Sequence, residues 1–239
     1  MDNRFARTAR LIGQNGLQTL QNARVAVFGL GGVGSYTVEA LCRSGVGALD
    51  LIDHDRVDIT NLNRQLIATE QTVGMQKTEA ARQRLLSINP AARIRVYDLF
   101  FLPQTADQID FSVYDYVVDA VDTVSAKIEI VLRATAAGVP VISCMGAGNK
   151  LDATAFYVTD LYKTQTDPLA RVMRRELRRR GVQSLKVICS GAAPVSPVAG
   201  DAGGGRQPPG SVAYVPGVAG LLAAGEVIGD LLNRREEHL

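Results

Sequence analysis

A glycine-rich segment in the first quarter of the chain has the pattern of a phosphate-binding turn. Residues 29–34, GLGGVG, match G-x-G-x-x-G between a valine-rich apolar run and a helical pattern. Gly29 permits a tight turn, Gly31 lets the backbone approach a phosphate, and Gly34 lets helix and strand pack closely. The helix N-terminus that follows offers free N–H groups to an anion. We therefore predict a nucleotide site at Gly29, Gly31, Gly32 and Gly34.

A carboxylate and two cations follow the turn. Asp53 comes at the interval of about 20 residues that is typical of a ribose-binding carboxylate, which fits either NAD or ATP. Arg64 and Lys77 favour ATP, because nucleotidyl transfer needs cations where phosphate charge develops. Solvated surface positions are the alternative for these two cations taken singly. The other predicted nucleotide contacts are Asp55, Asn61 and Gln65, with Asp55 expected to support Arg64 or touch a metal.

A second carboxylate is a candidate metal ligand. The segment 119–122, DAVD, closes an apolar strand, so Asp122 is expected at the carboxyl edge of the sheet, where this architecture binds ligands. A carboxylate there can hold Mg²⁺ between phosphate oxygens. We therefore predict that ATP and Mg²⁺ are the cofactors, with Arg64, Lys77 and Asp122 as catalytic residues.

Strand and helix patterns alternate through residue 143 and predict a doubly wound, mostly parallel, Rossmann-like α/β sheet. The predicted strands are 24–28, 48–52, 94–97, 116–119, 139–143 and 155–158. The predicted helices are 33–44, 77–88, 125–137 and 167–180, preceded by two short helices broken near Gly13 and Gly16. The apolar stretch 212–232 contains Pro216 and Gly217 and is interpreted as a buried strand followed by a helix.

Length and composition predict one domain over residues 1–239. Its parts are an N-terminal helical arm (1–22), a nucleotide-binding core (23–145) and a mixed substrate-side extension (146–239) with a mobile loop at 190–210. The net charge of +2 does not by itself indicate nucleic-acid binding. Three cysteines, no apolar leader and no uninterrupted membrane span indicate a cytoplasmic protein without membrane attachment.

The ordered motifs resemble the ThiF/MoeB/HesA family, which adenylylates carboxylates with ATP and is related to ubiquitin-activating enzymes. The resemblance covers roughly residues 4–145 and rests on RFAR at 4–7, GLGGVGS at 29–35, NRQ at 63–65 and the acidic residues already described. It implies that Asp53 binds ribose, that Arg64, Gln65 and Lys77 hold phosphates, and that Asp122 binds or orients magnesium. It also implies a homodimer in which Arg7 reaches the partner's active site, the alternative being a solvated arginine.

The second half resembles the TcdA branch of that family, the tRNA threonylcarbamoyladenosine dehydratases. The matching segments are 145–152, 158–163, 167–170 and 209–220. No CxxC pair is present, so a structural zinc site is not expected. The resemblance implies adenylylation of the threonyl carboxylate beside the tRNA anticodon, followed by ring closure with loss of AMP.

An arginine-rich helix is a candidate RNA contact. Spacings of three and four residues put several arginines along one face, with Glu176 as the only local acid. Such a stripe suits the tRNA backbone, and a solvated helix face is the alternative. The predicted tRNA contacts are Arg171, Arg174, Arg175, Arg178 and Arg179.

Other mechanisms remain open at this level. Cys189 is the one cysteine considered as a nucleophile, whereas Cys42 is expected in the core and Cys144 lacks a neighbour that would lower its pKa. Direct attack within the substrate is simpler than a thioester route. The alternative functions are an activator of a sulfur-carrier or ubiquitin-like protein, a non-catalytic nucleotide-binding adaptor and, more distantly, an NAD dehydrogenase.

Overall fold

A computed structural model describes residues 4–196 and 209–236 of the chain. Seven strands form one sheet in the order β3-β2-β1-β4-β5-β7-β6. They are β1 (Arg24–Phe28), β2 (Ala48–Asp53), β3 (Arg93–Asp98), β4 (Tyr116–Asp119), β5 (Val141–Cys144), β6 (Phe156–Asp160) and β7 (Lys186–Ser190). All neighbouring strands are parallel except β6 and β7. The strand order reverses between β1 and β4, which confirms the doubly wound α/β fold and marks the expected ligand-binding edge.

Helices cover the sheet. Those of the described residues are α1 (Ala6–Asn22), α2 (Gly34–Ser44), α3 (Lys77–Ile88), α4 (Val124–Ala136), α5 (Pro168–Arg179) and α6 (Tyr214–Glu236). Short 3₁₀ turns lie between them. One apolar core joins β1 and β2 to α2, α3 and α6, and a second packs around Phe28, Phe101 and α4. Helices on opposite faces therefore leave the carboxyl ends of the strands open to a ligand.

Most element boundaries agree with the sequence predictions to within two residues. The N-terminal break falls at Gly13, whose φ of 71° and ψ of 171° interrupt α1, while Gly16 remains helical. Asp167 caps α5 by accepting a hydrogen bond from the Ala170 N–H at 2.9 Å, as the Asp-Pro pair indicated. Of the predicted mobile loop, residues 197–208 lie outside the described part of the chain.

At the C-terminal side one prediction was wrong and one strand was missed. The strand expected at the start of 212–232 is absent, because helix α6 begins at Tyr214. Pro216 lies in its first turn, where a proline costs no intrahelical hydrogen bond. The strand β7 was not predicted, since it is only five residues long and gains its partners from β5 and β6, which are distant in sequence.

Helix α6 packs closely on α2. A Cβ atom on Gly220 would lie 2.3 Å from the Val33 carbonyl oxygen, and the Thr37 hydroxyl donates to the Gly220 carbonyl at 3.0 Å. Among the described helices, only 214–233 is long and apolar enough to cross a membrane, and 50% of it is buried within the fold. Such burial is common in core helices. The packing of α6 on α2 also places the first turn of α6 beside the glycine turn.

Candidate functional site

A cavity of about 460 Å³ opens at the carboxyl ends of β1, β2, β4 and β5. It brings together residues that lie as far apart in sequence as Gly29 and Pro216. The predicted site residues that line it are Gly29, Gly31, Gly32, Asp53, Asp55, Asn61, Arg64, Gln65, Lys77 and Asp122. Gly34, Arg7 and the arginines of α5 do not line it.

The positions of the turn require glycine for different structural reasons. Gly29 has a φ of 87°, and a Cβ there would lie 2.7 Å from the Ala120 carbonyl oxygen. A Cβ on Gly34 would lie 1.8 Å from the Gly29 carbonyl oxygen, so this position serves helix–strand packing rather than ligand contact. A Cβ on Gly31 would meet no protein atom within 4 Å and would project into open space. Gly31 therefore offers bare backbone to a phosphate group.

Asp53 ties the end of β2 to the glycine turn. Its Oδ2 accepts a hydrogen bond from the Leu30 N–H at 2.6 Å, and its Oδ1 accepts one from the Asp55 N–H at 2.8 Å. The carboxylate is buried, yet it lines the cavity. Each oxygen keeps a free lone pair, so Asp53 can still accept hydrogen bonds from ribose hydroxyls.

Lys77, at the first position of α3, points its charge into the cavity. Its side chain is buried, and its Nζ lies 2.6 Å from Oδ2 of the half-exposed Asp55. Asp55 also lies 3.2 Å from Nε2 of His54. Asp55 was expected to support Arg64 or touch a metal; in the described structure it pairs with Lys77, and the metal alternative stays a prediction. Lys77 lies beside Asp55 because the bridge between Arg56 and Gln76 brings the start of α3 next to the end of β2.

Arg64, Asn61 and Gln65 come from a tightly folded segment. Asn61 closes a capping box with Asp58, whose N–H donates to the Asn61 Oδ1 at 3.1 Å. Arg64 donates to the Thr60 carbonyl at 2.9 Å and has no ion pair with a described acidic residue. The Oε1 of Gln65 is buried without a hydrogen-bond partner in the described structure. An anionic group of a ligand would satisfy the guanidinium, and a hydroxyl or amino group of the same ligand would satisfy the orphaned acceptor.

Asp122 lies three residues after the end of β4 and is exposed at the cavity rim. Its only described hydrogen bond is a long one, from the Thr123 hydroxyl at 3.4 Å. Carboxylate oxygens are ligands that Mg²⁺ prefers, and this carboxylate is free to bind one beside phosphates. The donor set therefore fits the predicted metal, although the assignment stays a prediction.

The sequence reasoning missed an ion pair beneath the cavity floor. Lys127 of α4 and Asp119 of β4 have fully buried side chains and lie 2.9 Å apart. Lys127 also donates to the carbonyls of Val121 and Cys144, at 3.1 and 2.8 Å. The available signal was a lysine on the apolar face of α4, where the neighbours at 126, 130 and 131 are buried.

Another part of the cavity wall was also not among the predicted site residues. It consists of residues 144–148, Leu169, Pro209, Ser211 and Pro216. Asn149 has a left-handed φ of 56° and holds Gly210 through two hydrogen bonds, at 2.6 and 2.7 Å. The amide of Asn63 donates to the Ser211 carbonyl at 3.0 Å. These contacts hold Gly210 against Asn149, and Ser211 of the cavity wall against Asn63, the neighbour of Arg64.

None of the three cysteines has the environment of a nucleophile. All are buried free thiols. Burial raises the pKa of Cys144 to about 12 and that of Cys42 to about 11. Burial and then the charge of Asp167 raise the pKa of Cys189. Because the thiolate is the reactive form, these shifts disfavour a covalent thioester, including one on Cys189.

The arginine-rich face of α5 is mostly exposed. Arg174 is the exception, since it is half-buried and donates to both the carbonyl and the hydroxyl of Thr164. Glu176 forms ion pairs with Arg175 and Arg180, at 3.0 and 2.9 Å. The predicted RNA-contact arginines that remain on the surface are Arg171, Arg175, Arg178 and Arg179. They outnumber the acids on this face and lie outside the cavity.

Arg7 is exposed in the first turn of α1. It does not line the cavity of its own chain. Any catalytic contact of Arg7 would therefore have to be made with a second copy of the protein.

The fold and the cavity together define a nucleotide-binding α/β protein with a glycine turn, two cavity cations and a carboxylate at the strand edge. Residues 5–239 match the family described as ThiF. The chain belongs to the ThiF family.

Two relatives are similar over most of the chain. The chain is 43% identical to the tRNA threonylcarbamoyladenosine dehydratase of Bacillus subtilis (strain 168), over 98% of this chain and 96% of that protein. Crystal structures of the Escherichia coli tRNA N6-threonylcarbamoyladenosine dehydratase with AMP and with ATP superpose with a TM-score of 0.90 and 35% identity. Those superpositions cover 98% of this chain and 96% of the other.

Proposed function

We propose that this protein is an ATP-dependent tRNA threonylcarbamoyladenosine dehydratase. The observation that carries the proposal is one cavity that Gly31, Lys77, Arg64 and Asp122 line together with residues 144–148. The similarity to dehydratases along nearly the whole chain supports this substrate class.

The nucleotide occupies the end of the cavity formed by the glycine turn. Asp53 accepts hydrogen bonds from the ribose, while Arg64, Gln65 and Lys77 contact the phosphates. Lys77 exchanges part of its contact with Asp55 for phosphate oxygen, which keeps its buried charge compensated. Asp122 holds Mg²⁺, which supplies Lewis-acid stabilisation of phosphate charge when bound.

The reaction forms two bonds at the substrate carboxylate, and it breaks one bond in ATP and one in the adenylate. A carboxylate oxygen attacks the α-phosphorus of ATP, and pyrophosphate leaves. A nucleophilic atom of the tethered carbamoyl group then attacks the activated carbonyl carbon, AMP leaves with the former carboxylate oxygen, and a proton is released. Because attacker and carbonyl belong to one molecule, ring closure needs positioning rather than a protein nucleophile. The buried thiols agree with this route.

The tRNA backbone is bound by the exposed arginines of α5, where phosphate contacts add salt-sensitive affinity without reading sequence. The active form is a homodimer in which Arg7 completes the partner's site. A cytoplasmic location is part of the proposal, because the substrate is tRNA and all three cysteines are free thiols.

The test is AMP release from ATP and Mg²⁺ by the purified protein, with tRNA that carries threonylcarbamoyladenosine or with the same tRNA lacking it. Nucleoside mass spectrometry follows the RNA in the same reactions. We expect AMP only with the modified tRNA, together with loss of the mass of one water from the nucleoside. AMP that instead requires a protein with a C-terminal carboxylate would contradict the proposal and favour a sulfur-carrier activator. ATP binding without any turnover would favour a nucleotide-binding adaptor.

A further inference from the structure

Lys127 uses all of its hydrogen-bonding capacity beneath the cavity floor. Its side chain is fully buried, and its ammonium contacts the Asp119 carboxylate and the carbonyls of Val121 and Cys144. An ammonium has three donors, so none is left for a ligand. Lys127 therefore cannot act on the substrate directly, and its influence must pass through the backbone that it holds.

The two carbonyls belong to the ends of neighbouring strands. Val121 immediately precedes Asp122, and Cys144 immediately precedes the 145–148 segment; all of these residues line the cavity. Asp119 completes the connection, because its Oδ1 accepts from the Val121 N–H at 3.3 Å and its Oδ2 accepts from the Ser143 hydroxyl at 2.5 Å. One buried pair thus fixes the exits of β4 and β5 relative to each other.

We propose that Lys127 is a positioning residue that couples adenylylation to ring closure. This inference rests on the proposed function. The carboxyl end of β4 leads to Asp122, and the carboxyl end of β5 leads to residues 145–148; both segments line the cavity. A fixed distance between them holds the activated carbonyl carbon near the carbamoyl group that attacks it. A looser site still forms the adenylate, but more of it is lost to water before the ring closes.

Stability alone does not require such a pair. Well-packed apolar residues often replace buried ion pairs at no cost, whereas removing one partner leaves an uncompensated charge. Here the pair forms hydrogen bonds with four groups at the carboxyl ends of β4 and β5, beneath the cavity floor. Positioning of those strand ends is therefore the property that distinguishes Lys127 from an apolar side chain.

The test is the double variant Lys127→Met with Asp119→Asn, which removes both charges and leaves none unpaired. The readout is the amount of cyclic nucleoside formed per AMP released, with modified tRNA as substrate. This ratio does not depend on how much of the enzyme is folded. We expect it to fall roughly tenfold, since misplacement by about 1 Å can cost a hundredfold in rate. Leu85→Ala, in the core at α3, is the destabilised control and should keep the wild-type ratio.

A second readout needs no tRNA. The part of the ATP-induced rise in melting temperature that depends on Mg²⁺ reports the placement of Asp122, and we expect the double variant to lose part of it while still forming the adenylate. A double variant that keeps both the coupling ratio and the Mg²⁺-dependent rise overturns the inference alone. A wild-type protein that shows neither an ATP-induced rise nor RNA-dependent AMP overturns the proposed function and this inference together.

Discussion

One added methyl group in the glycine turn should abolish ligand binding without destabilising the fold. In Gly31→Ala the new Cβ meets no protein atom within 4 Å, and Gly31 is not among the glycines with positive φ. The folded structure accepts the alanine without strain, so the free energy of unfolding should stay equal or rise by about 0.4–1 kcal/mol. The methyl group occupies the space through which a phosphate reaches the backbone, so ATP binding should be lost.

The size of the effect follows from linkage. ATP at 100 times its dissociation constant stabilises a protein by about 2.7 kcal/mol. For a chain of this length each kcal/mol shifts the melting temperature by about 2–4 °C, so the wild-type protein should gain about 5–10 °C. The assay is differential scanning fluorimetry with and without ATP and Mg²⁺. Gly31→Ala should melt at or slightly above the ligand-free wild type and should not respond to ATP.

The matched control is Gly34→Ala, three residues along the same turn. Its Cβ would lie 1.8 Å from the Gly29 carbonyl oxygen, so backbone must move. The expected cost is about 3 kcal/mol, or roughly 6–12 °C, before any ligand is added. An ATP-induced rise in Gly31→Ala equal to that of the wild type would refute the placement of phosphate at this turn.

Three further variants test the site and its surroundings. Asp122→Ala should lower AMP release at least ~1,000-fold because a metal ligand is lost. It should shift the melting temperature by less than about 2 °C because the side chain is exposed. Normal turnover would exclude the metal role. Cys189→Ala should keep its activity. In the folded wild-type protein at pH 8, intact-mass spectrometry should show little labelling of the three thiols by iodoacetamide, because their raised pKa values hold them protonated. Rapid labelling of Cys189 would reopen the thioester route. Replacement of four arginines by glutamate should raise the apparent KM for tRNA, with the ratio of variant to wild-type KM largest at low salt, and leave the ATP-induced melting shift intact. An unchanged KM would make that face ordinary solvated surface. Those four are Arg171, Arg175, Arg178 and Arg179.

Features with a local cause were predictable from the sequence. The glycine turn, the apolar strands beside it and the capped start of α5 each follow from residues within one turn or one strand of each other. Their periodicity indicates which face is buried, and alternation of strands and helices restricts the sheet to a parallel, doubly wound order. The residues predicted around ATP accordingly meet in one cavity, while their individual roles stay predictions.

The rest was decided only by the tertiary structure, because periodicity does not say which loops meet. The Asn63–Ser211 contact joins residues 148 positions apart, and no local pattern indicates that it closes the cavity. The preference of Asp55 for Lys77 over Arg64 depends on how the start of α3 approaches β2. Lys127 lies on the apolar face of α4, but the sequence does not show which acid it meets; only the packing of α4 against the ends of two strands gives its charge a buried partner. Long-range packing therefore determined how the chemical groups are held, whereas local sequence determined which groups were present.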